Sequence, residues 1–368
     1  MGNLADIKYR MKGVADTRQI TKAMETVSIA KMRKAMQSFK ANAEFFAKIV
    51  DTISDIALHS GYIDSAYMNR RLGHGRVLYV IIASDKGLCA SYNHNILELA
   101  KIKILEKEIA HLEAKTDDQL VAHMQGGIEQ RLAFIENKIS IFTVGHIATT
   151  FFEKLGINID MEYSHISTES TLRDAKKIAE DIKMLYDMNL VDEVNVLYTQ
   201  IDHHGTLTPT ELPLLPLKRD EILQKILQKQ NAENKAANHY NQIKDYQNVN
   251  LGETGKNENT KTPQNNQPQK SYTNLQDEEY FKELEYDPSV EEVLETLIVR
   301  YLNGALYGAL VQSSAAEHSS RRTAMSNATN NALEILDKLN LEYNRERQAS
   351  VTNEILEIIT ASNVAQGK

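Results

Sequence analysis

One thiol, a few imidazoles and two glycine-containing strings are the groups in this chain that could do chemistry, and their spacing limits what that chemistry can be. Cys89 is the single cysteine. With His94 five residues on, it could serve as a thiolate nucleophile, but a lone cysteine is more often a small buried apolar group, and we adopt that reading. It can form neither an internal disulfide nor a paired thiolate metal site, which fits a reducing compartment. Asp202, His203 and His204 are the densest potential metal ligands, yet three adjacent side chains in a strand or turn do not converge on one ion. A solvent-exposed turn before Gly205 is expected there. His59, His74 and His318 stand alone, with no second ligand at i+4. The phosphate-binding pattern GxxxxGK[ST] is absent; GETGK at 252–256 has the wrong spacing and lies in a polar stretch, not between a strand and a helix. SDKGLCASYN, Ser84 to Asn93, follows a strand-like run and precedes a helical one, but carries no GxGxxG. The expectation is therefore no catalytic residue, no cofactor site and no metal.

The elements that would position these groups follow from proline placement. All six prolines lie between Pro209 and Pro288, and proline breaks helix interiors, so both chain ends are free to form very long helices. From Leu4 to about Leu58, apolar residues begin at heptad spacing with Leu4, Ile7, Met11 and Val14, and Ile20, Met24 and Val27 resume the stripe. A second run extends from Ser289 to about Thr360 through Val290, Val293, Leu297, Tyr301 and Ala305, then Leu333, Leu336 and Leu339. Ser289 after Pro288 is a suitable cap, with Glu291 and Glu292 in the first turn. These helices would reach roughly 80 and 110 Å at 1.5 Å per residue, far too long to stand alone. Residues 1–60 hold ten Lys/Arg against six Asp/Glu and residues 289–362 six against ten, so opposite charges favour their pairing. An antiparallel coiled coil of the two ends is expected.

Between them the pattern changes. Val77–Ala83, Ile139–Val144 and Val194–Thr199 read as buried strands, separated by helices such as Thr171–Tyr186, which predicts an α/β domain inserted between the long helices. Beyond LPLLPLKRD, residues 229–276 are dense in Asn, Gln, Lys and Glu; 219–246 could form a polar helix, and 252–270 reads as a flexible loop. The predicted organisation is a helix at 1–60, an α/β domain at 75–217, a polar, partly disordered insertion at 218–287 and a helix at 288–363.

Two strings in the terminal helices carry a resemblance: QITKAMETVSIAKMRKA at Gln19–Ala35 and AAEHSSRRTAMSNATNNALEILDKLNLEYNRERQASVTNEILEI at Ala315–Ile358. With SDKGLCASYN and ELPLLPL between them, in order along the chain, they resemble the ATP synthase gamma subunit family. That resemblance implies a central-stalk rotor that transmits torque without bond chemistry, an antiparallel coiled coil flanked by a Rossmann-like domain. It implies partners as well: three alpha and three beta subunits around one rotor, with an epsilon-like subunit and a membrane ring, or a specialised replacement, below. By the same resemblance Arg347 and Gln348 in RERQAS match the pair that engages a beta-subunit loop, and Met24, Arg321, Thr352 and Glu354 match other torque or coupling positions. A guanidinium and an amide suit such a contact. The sequence departs from the family at Ala361–Ser362, where Gly-Ala is usual, and in the length of the polar insertion. Val311–Asn331, small and polar within a helix, reads as a surface for weak, changeable contacts or simply as an exposed polar face.

Composition sets outer bounds. The chain is 42% hydrophobic and 25% charged with a formal net charge of −8, which disfavours a general nucleic-acid binder. The first residues lack the apolar core of a signal peptide, and no run approaches the ~20 apolar residues of a spanning helix. The location expected is the cytoplasmic face of the cell membrane, reached through partners. A gamma-like rotor driving other machinery and a non-rotary coiled-coil scaffold are the alternatives.

Overall fold

The computed structural model describes residues 4–59, 65–68, 75–113, 135–136, 138–164, 166, 170–202, 205–217 and 289–365. The polar insertion at 218–287, the GETGK string, His74, His203 and His204 lie outside them, as does the side chain of His59. The chain divides into two compact units, one of Met1–Phe46, Leu72–Leu214 and Leu302–Lys368, the other of Ala47–Arg71 and Leu215–Tyr301.

Among the described residues ten elements follow in order: α1 (Leu4–His59), β1 (Val77–Ile82), α2 (Tyr92–Glu113), β2 (Ile139–Val144), α3 (His146–Lys154), β3 (Met161–Tyr163), α4 (Leu172–Asp187), β4 (Glu193–Ile201), β5 (Leu207–Leu215) and α5 (Val290–Ala365). The proline-free ends are the two longest helices, 56 and 76 residues. Ser289 caps α5 as expected, its Oγ accepting from Glu292 N at 3.2 Å.

In the larger unit α1 and α5 run antiparallel. The Oγ1 atoms of Thr21 and Thr329 lie 2.8 Å apart, and Asn42 Nδ2 donates to the Gly304 carbonyl at 3.0 Å. A Cβ at Gly304 would sit 2.7 Å from Phe46 Cδ2, so the absence of a side chain is what lets α1 approach there. The buried positions Ile7, Thr21 and Ser28 on α1 lie at multiples of seven, with Val14 half-buried between the first two, which is the heptad period. This corrects the expected stripe: Ile20 and Val27 are 60% and 55% exposed, because Thr21 and Ser28 hold the inward register and the larger aliphatics sit one position away. On α5 the same shift occurs, with Ala332 buried and Leu333 exposed, while Leu339 points inward as expected.

The sheet has five strands in the order β3-β2-β1-β4-β5. β1 pairs in parallel with β2 and β4, and β2 with β3. Every residue of β1 and β2 is buried, the continuous apolar reading of strands covered on both faces. Their side chains meet Ile96, Leu97, Ala100 and Ile104 of α2 and Ala148 and Phe152 of α3 in one core. Thr171 and Asp174 form a reciprocal capping box that starts α4. β5 follows β4, and between them Asp202 Oδ1 accepts from Thr206 N at 2.7 Å. It tolerates Pro209 and Pro213 because it is an edge strand.

The smaller unit buries Ile49, Ile53, Ile56 and Ala57 of α1, Leu294, Ile298 and Tyr301 of α5, and Tyr67, Met68, Leu215 and Leu217. Leu217 N donates to Tyr67 O at 2.7 Å.

Candidate functional site

In an open parallel sheet, ligands bind outside the strand carboxyl ends where the strand order reverses. Here the chain passes from β1 outward through β2 and β3, then returns to place β4 on the other side of β1, so the reversal lies between β1 and β4. What fills that place is α5. Thr199 N, in β4, donates to Ser313 Oγ at 3.3 Å, and Ser320 Oγ donates to the Cys89 carbonyl at 2.6 Å. Between these bonds Ala316 packs on Cys89 and Tyr92, with Ile201 and Leu207 beside them. Small residues make this possible: Ser313, Ser314, Ala315 and Ala316 are all buried. The expected exposed or loosely contacting surface at Val311–Asn331 is therefore corrected over 311–321, whereas Arg322, Thr323, Asn327, Asn330 and Asn331 are exposed as expected. Residues 311–318 are buried without interruption, because a helix wedged between a sheet and a second helix has no free face.

The loop after β1 is organised around Ser84 and Asn93. Ser84 N donates to Asn93 Oδ1 at 3.0 Å, Ser84 Oγ reaches the Lys86 carbonyl at 2.8 Å, and Asn93 Nδ2 donates to Cys89 Sγ at 3.1 Å. Cys89 is 2% exposed, and burial raises its thiol pKa, which keeps it a thiol. His94 is exposed; the side chains bonded to Cys89 Sγ are Asn93 and Ser84. Leu88 and Ala90 have φ of 61° and 47°, left-handed values that cost energy outside glycine. Leu88 is nonetheless 65% exposed.

Arg321 locks this loop to α5. Its Nη2 donates to the carbonyls of Lys86 at 3.0 Å and Gly87 at 3.2 Å, and its Nη1 meets Glu317 Oε1 at 2.6 Å and His318 Nδ1 at 3.2 Å. All three side chains belong to residues no more than 8% exposed. Burial raises the pKa of Glu317, an effect that the Arg321 charge opposes. Burial also lowers the pKa of His318 to about 4, and the charges of Arg321 and Lys31 push the same way. Sequence reasoning identified Arg321 but treated His318 as an isolated imidazole. The i, i+3 and i, i+4 spacings to Arg321 were the available signal.

The remaining residues singled out in the sequence lie elsewhere on the long helices. Met24 is half-buried between the exposed Ile20 and Val27. Arg347, Gln348, Thr352 and Glu354 are exposed, with Thr352 Oγ1 bonded back to the Gln348 carbonyl at 2.8 Å and Ser350 Oγ to Glu354 at 3.4 Å. Extrapolated from the Thr21–Thr329 contact, the antiparallel register brings Leu4, the first described residue of α1, opposite the turn around Glu346. Past it α5 continues, and Val351, Ile355, Leu356, Ile358 and Ile359 are 48–68% exposed. Among the described residues no group of His, Cys, Asp or Glu could hold a metal ion, and no helix is long and apolar enough to cross a membrane.

Together these features define a helical shaft strapped to a parallel α/β sheet. A family profile described as ATP synthase matches residues 3–364. The chain is 32% identical over 359 residues to the ATP synthase gamma chain of Alkaliphilus metalliredigens, covering 98% of this chain and 97% of that one. It is 30% identical over 357 residues to the sodium-ion-specific ATP synthase gamma chain of Acetobacterium woodii, covering 97% of each. The fold is similar to a chain of the Euglena gracilis mitochondrial ATP synthase rotor, with a TM-score of 0.52 and 13% identity over 95% of this chain and 98% of that one. This chain belongs to the ATP synthase gamma-chain family.

Proposed function

We propose that this chain is the central-stalk rotor subunit of a rotary ATPase, a non-catalytic shaft that carries torque between a ring of three alpha and three beta subunits and a membrane-embedded ring reached through an epsilon-like subunit. The observation that carries the reading is the family match along residues 3–364. The geometry is consistent with it. Heptad-spaced burial on α1 and the polar contacts to α5 suit an antiparallel coiled coil. The sheet between them is Rossmann-like in strand order, and its ligand crevice is filled by the shaft itself. In this reading the shaft is formed by residues 1–60 and 288–363, the α/β domain by 75–217 and the insertion by 218–287, and the complex holds the chain peripherally at the cytoplasmic face of the membrane.

The contacts to the surrounding ring are assigned to Met24, Arg347, Gln348, Thr352 and Glu354, whose side chains α1 and α5 leave wholly or partly exposed. Arg321 contributes differently, by tying the 84–90 loop to the shaft. The apolar side chains from Val351 to Ile359 form the part of the shaft seated deepest in the ring, since aliphatic groups with no intrachain cover are stabilised by a surrounding apolar sleeve.

Purifying the native complex through a tag on this chain tests the assignment. Alpha and beta subunits at three each per tagged chain, with ATP-driven rotation of a bead attached to it, are the expected result. Recovery of the chain only with copies of itself would reject a rotor in favour of a scaffold.

A further inference from the structure

The buried pair beside Arg321 has a chemistry of its own. A guanidinium donates and never accepts, so the 3.2 Å contact between Arg321 Nη1 and His318 Nδ1 requires Nδ1 to be the acceptor. That sets the imidazole as the neutral tautomer with its proton on Nε2. Nη1 is thereby held between Glu317 Oε1 and His318 Nδ1, both on its own helix, and the other edge of the same planar group faces the carbonyls of Lys86 and Gly87.

We propose that His318 is a positioning residue for torque coupling: its neutral ring aims Arg321 at the 84–90 loop, and protonation at Nδ1 releases Arg321 and uncouples that loop from the shaft. A proton on Nδ1 replaces an acceptor with a donor and sets two cations against each other. The charged groups around the ring support the neutral form. Arg321 on the same helix and Lys31 on α1 both oppose a positive charge on it. Glu317 already has one oxygen engaged by Arg321, and Asp85 and Lys86 belong to the loop being held. His318 is 4% exposed, and Nε2 finds no hydrogen-bond partner among the described residues, so no alternative bond compensates for losing Arg321. The proposal rests on the rotor reading, in which the loop and the helix turn as one body, but its geometric core does not.

Hydrogen exchange of the 83–93 segment in the full-length chain tests it, comparing wild type, H318Q and H318L at matched pH between 7 and 4. Glutamine offers Oε1 as a non-titrating acceptor for Arg321, whereas leucine fills the space and offers none. At pH 7 the Ser84 and Tyr92 amides should exchange at wild-type rates in H318Q and about tenfold faster in H318L, the loss expected for one hydrogen bond to a charged group. Near pH 4 wild type should approach H318L while H318Q stays protected. If H318L does not fold, the wild-type and H318Q comparison across pH decides alone. Equal protection in wild type and H318Q at pH 4, or H318Q as labile as H318L at pH 7, overturns the proposal. Failure of the rotor reading would register separately, as the absence of alpha and beta subunits from the tagged complex, with loop exchange still reporting on His318.

Discussion

Replacing Arg321 with methionine isolates what the buried clamp contributes. The change keeps much of the stem's volume but removes the donors to Glu317, His318 and the two loop carbonyls. Glu317 is 4% exposed, and its Oε2 has no partner among the described residues even in the intact clamp, so the variant leaves a buried carboxyl with neither oxygen satisfied. Breaking a buried ion pair from one side costs roughly 3–5 kcal/mol. Removing the charge as well, in E317Q/R321M, should recover most of it and leave about 1–2 kcal/mol for the lost bonds to the loop, chiefly that to the Gly87 carbonyl, since Ser84 Oγ still donates to Lys86 O. Urea unfolding of the full chain followed by far-UV circular dichroism, for wild type, both single variants and the double variant, gives the coupling between the two residues. The raised pKa of Glu317 adds a directional check. Without Arg321 the folded state holds the Glu317 proton more tightly than the unfolded state does, so the R321M defect should shrink as pH falls from 7 to 5. A loss below about 1 kcal/mol for R321M, or additivity of the two single changes, would refute the view that these residues act as one buried unit.

Stability itself should depend on His318. Its folded pKa of about 4 lies below the ordinary 6.5, so the unfolded chain binds the proton more readily, and stability present above pH 6.5 is lost as pH falls to 4. That loss is roughly 2–3 kcal/mol in wild type and should be absent in H318Q, so it emerges as the difference between their urea midpoints across that range. Gly145 and Gly205 both have positive φ, but a Cβ at Gly145 would collide with the Ala83 carbonyl oxygen whereas Gly205 has open space. G205A should therefore cost about 1 kcal/mol of backbone strain and G145A about 3 or more, read from thermal midpoints. Because Arg347 and Ile355 are exposed, R347A and I355S should each shift stability of the isolated chain by less than about 0.5 kcal/mol. In the assembled complex R347A is expected to reduce torque or coupling, measured by bead rotation at saturating ATP.

Much of the fold was legible because it follows from strong local signals. The absence of proline before Pro209 and after Pro288 marked both long helices, and uninterrupted apolar runs marked the first two strands of the sheet. Facing was harder to read. Hydrophobicity alone put Ile20, Val27 and Leu333 in the seam, but the seam takes Thr21, Ser28 and Ala332 instead, because close helix approach favours small side chains and a hydroxyl pair can satisfy itself across the interface. β3 is three residues long, and β5 contains two prolines, so neither carries a strand-like pattern. The clamp at the candidate site was half visible. Arg321 came from the resemblance, and Glu317 and His318 stand at helical spacing from it, but the loop carbonyls that Arg321 also holds are more than 200 positions away in the chain, which no local spacing reveals.

A helix seated where a doubly wound sheet would receive a small molecule behaves, thermodynamically, as a ligand that is already bound. Its affinity adds to the stability of the sheet by mass action, and because it is covalently attached its effective concentration does not fall on dilution. A fragment limited to residues 75–217 would be the unliganded form. It would present Cys89, Tyr92, Ile201 and Leu207 to water, take from Thr199 N and the Gly87 carbonyl the groups on the helix that bond them, and strip one of two donors from the carbonyls of Lys86 and Cys89. The sheet domain and the helix are thus two halves of one binding equilibrium, and a load that pulls them apart does work against a dissociation constant.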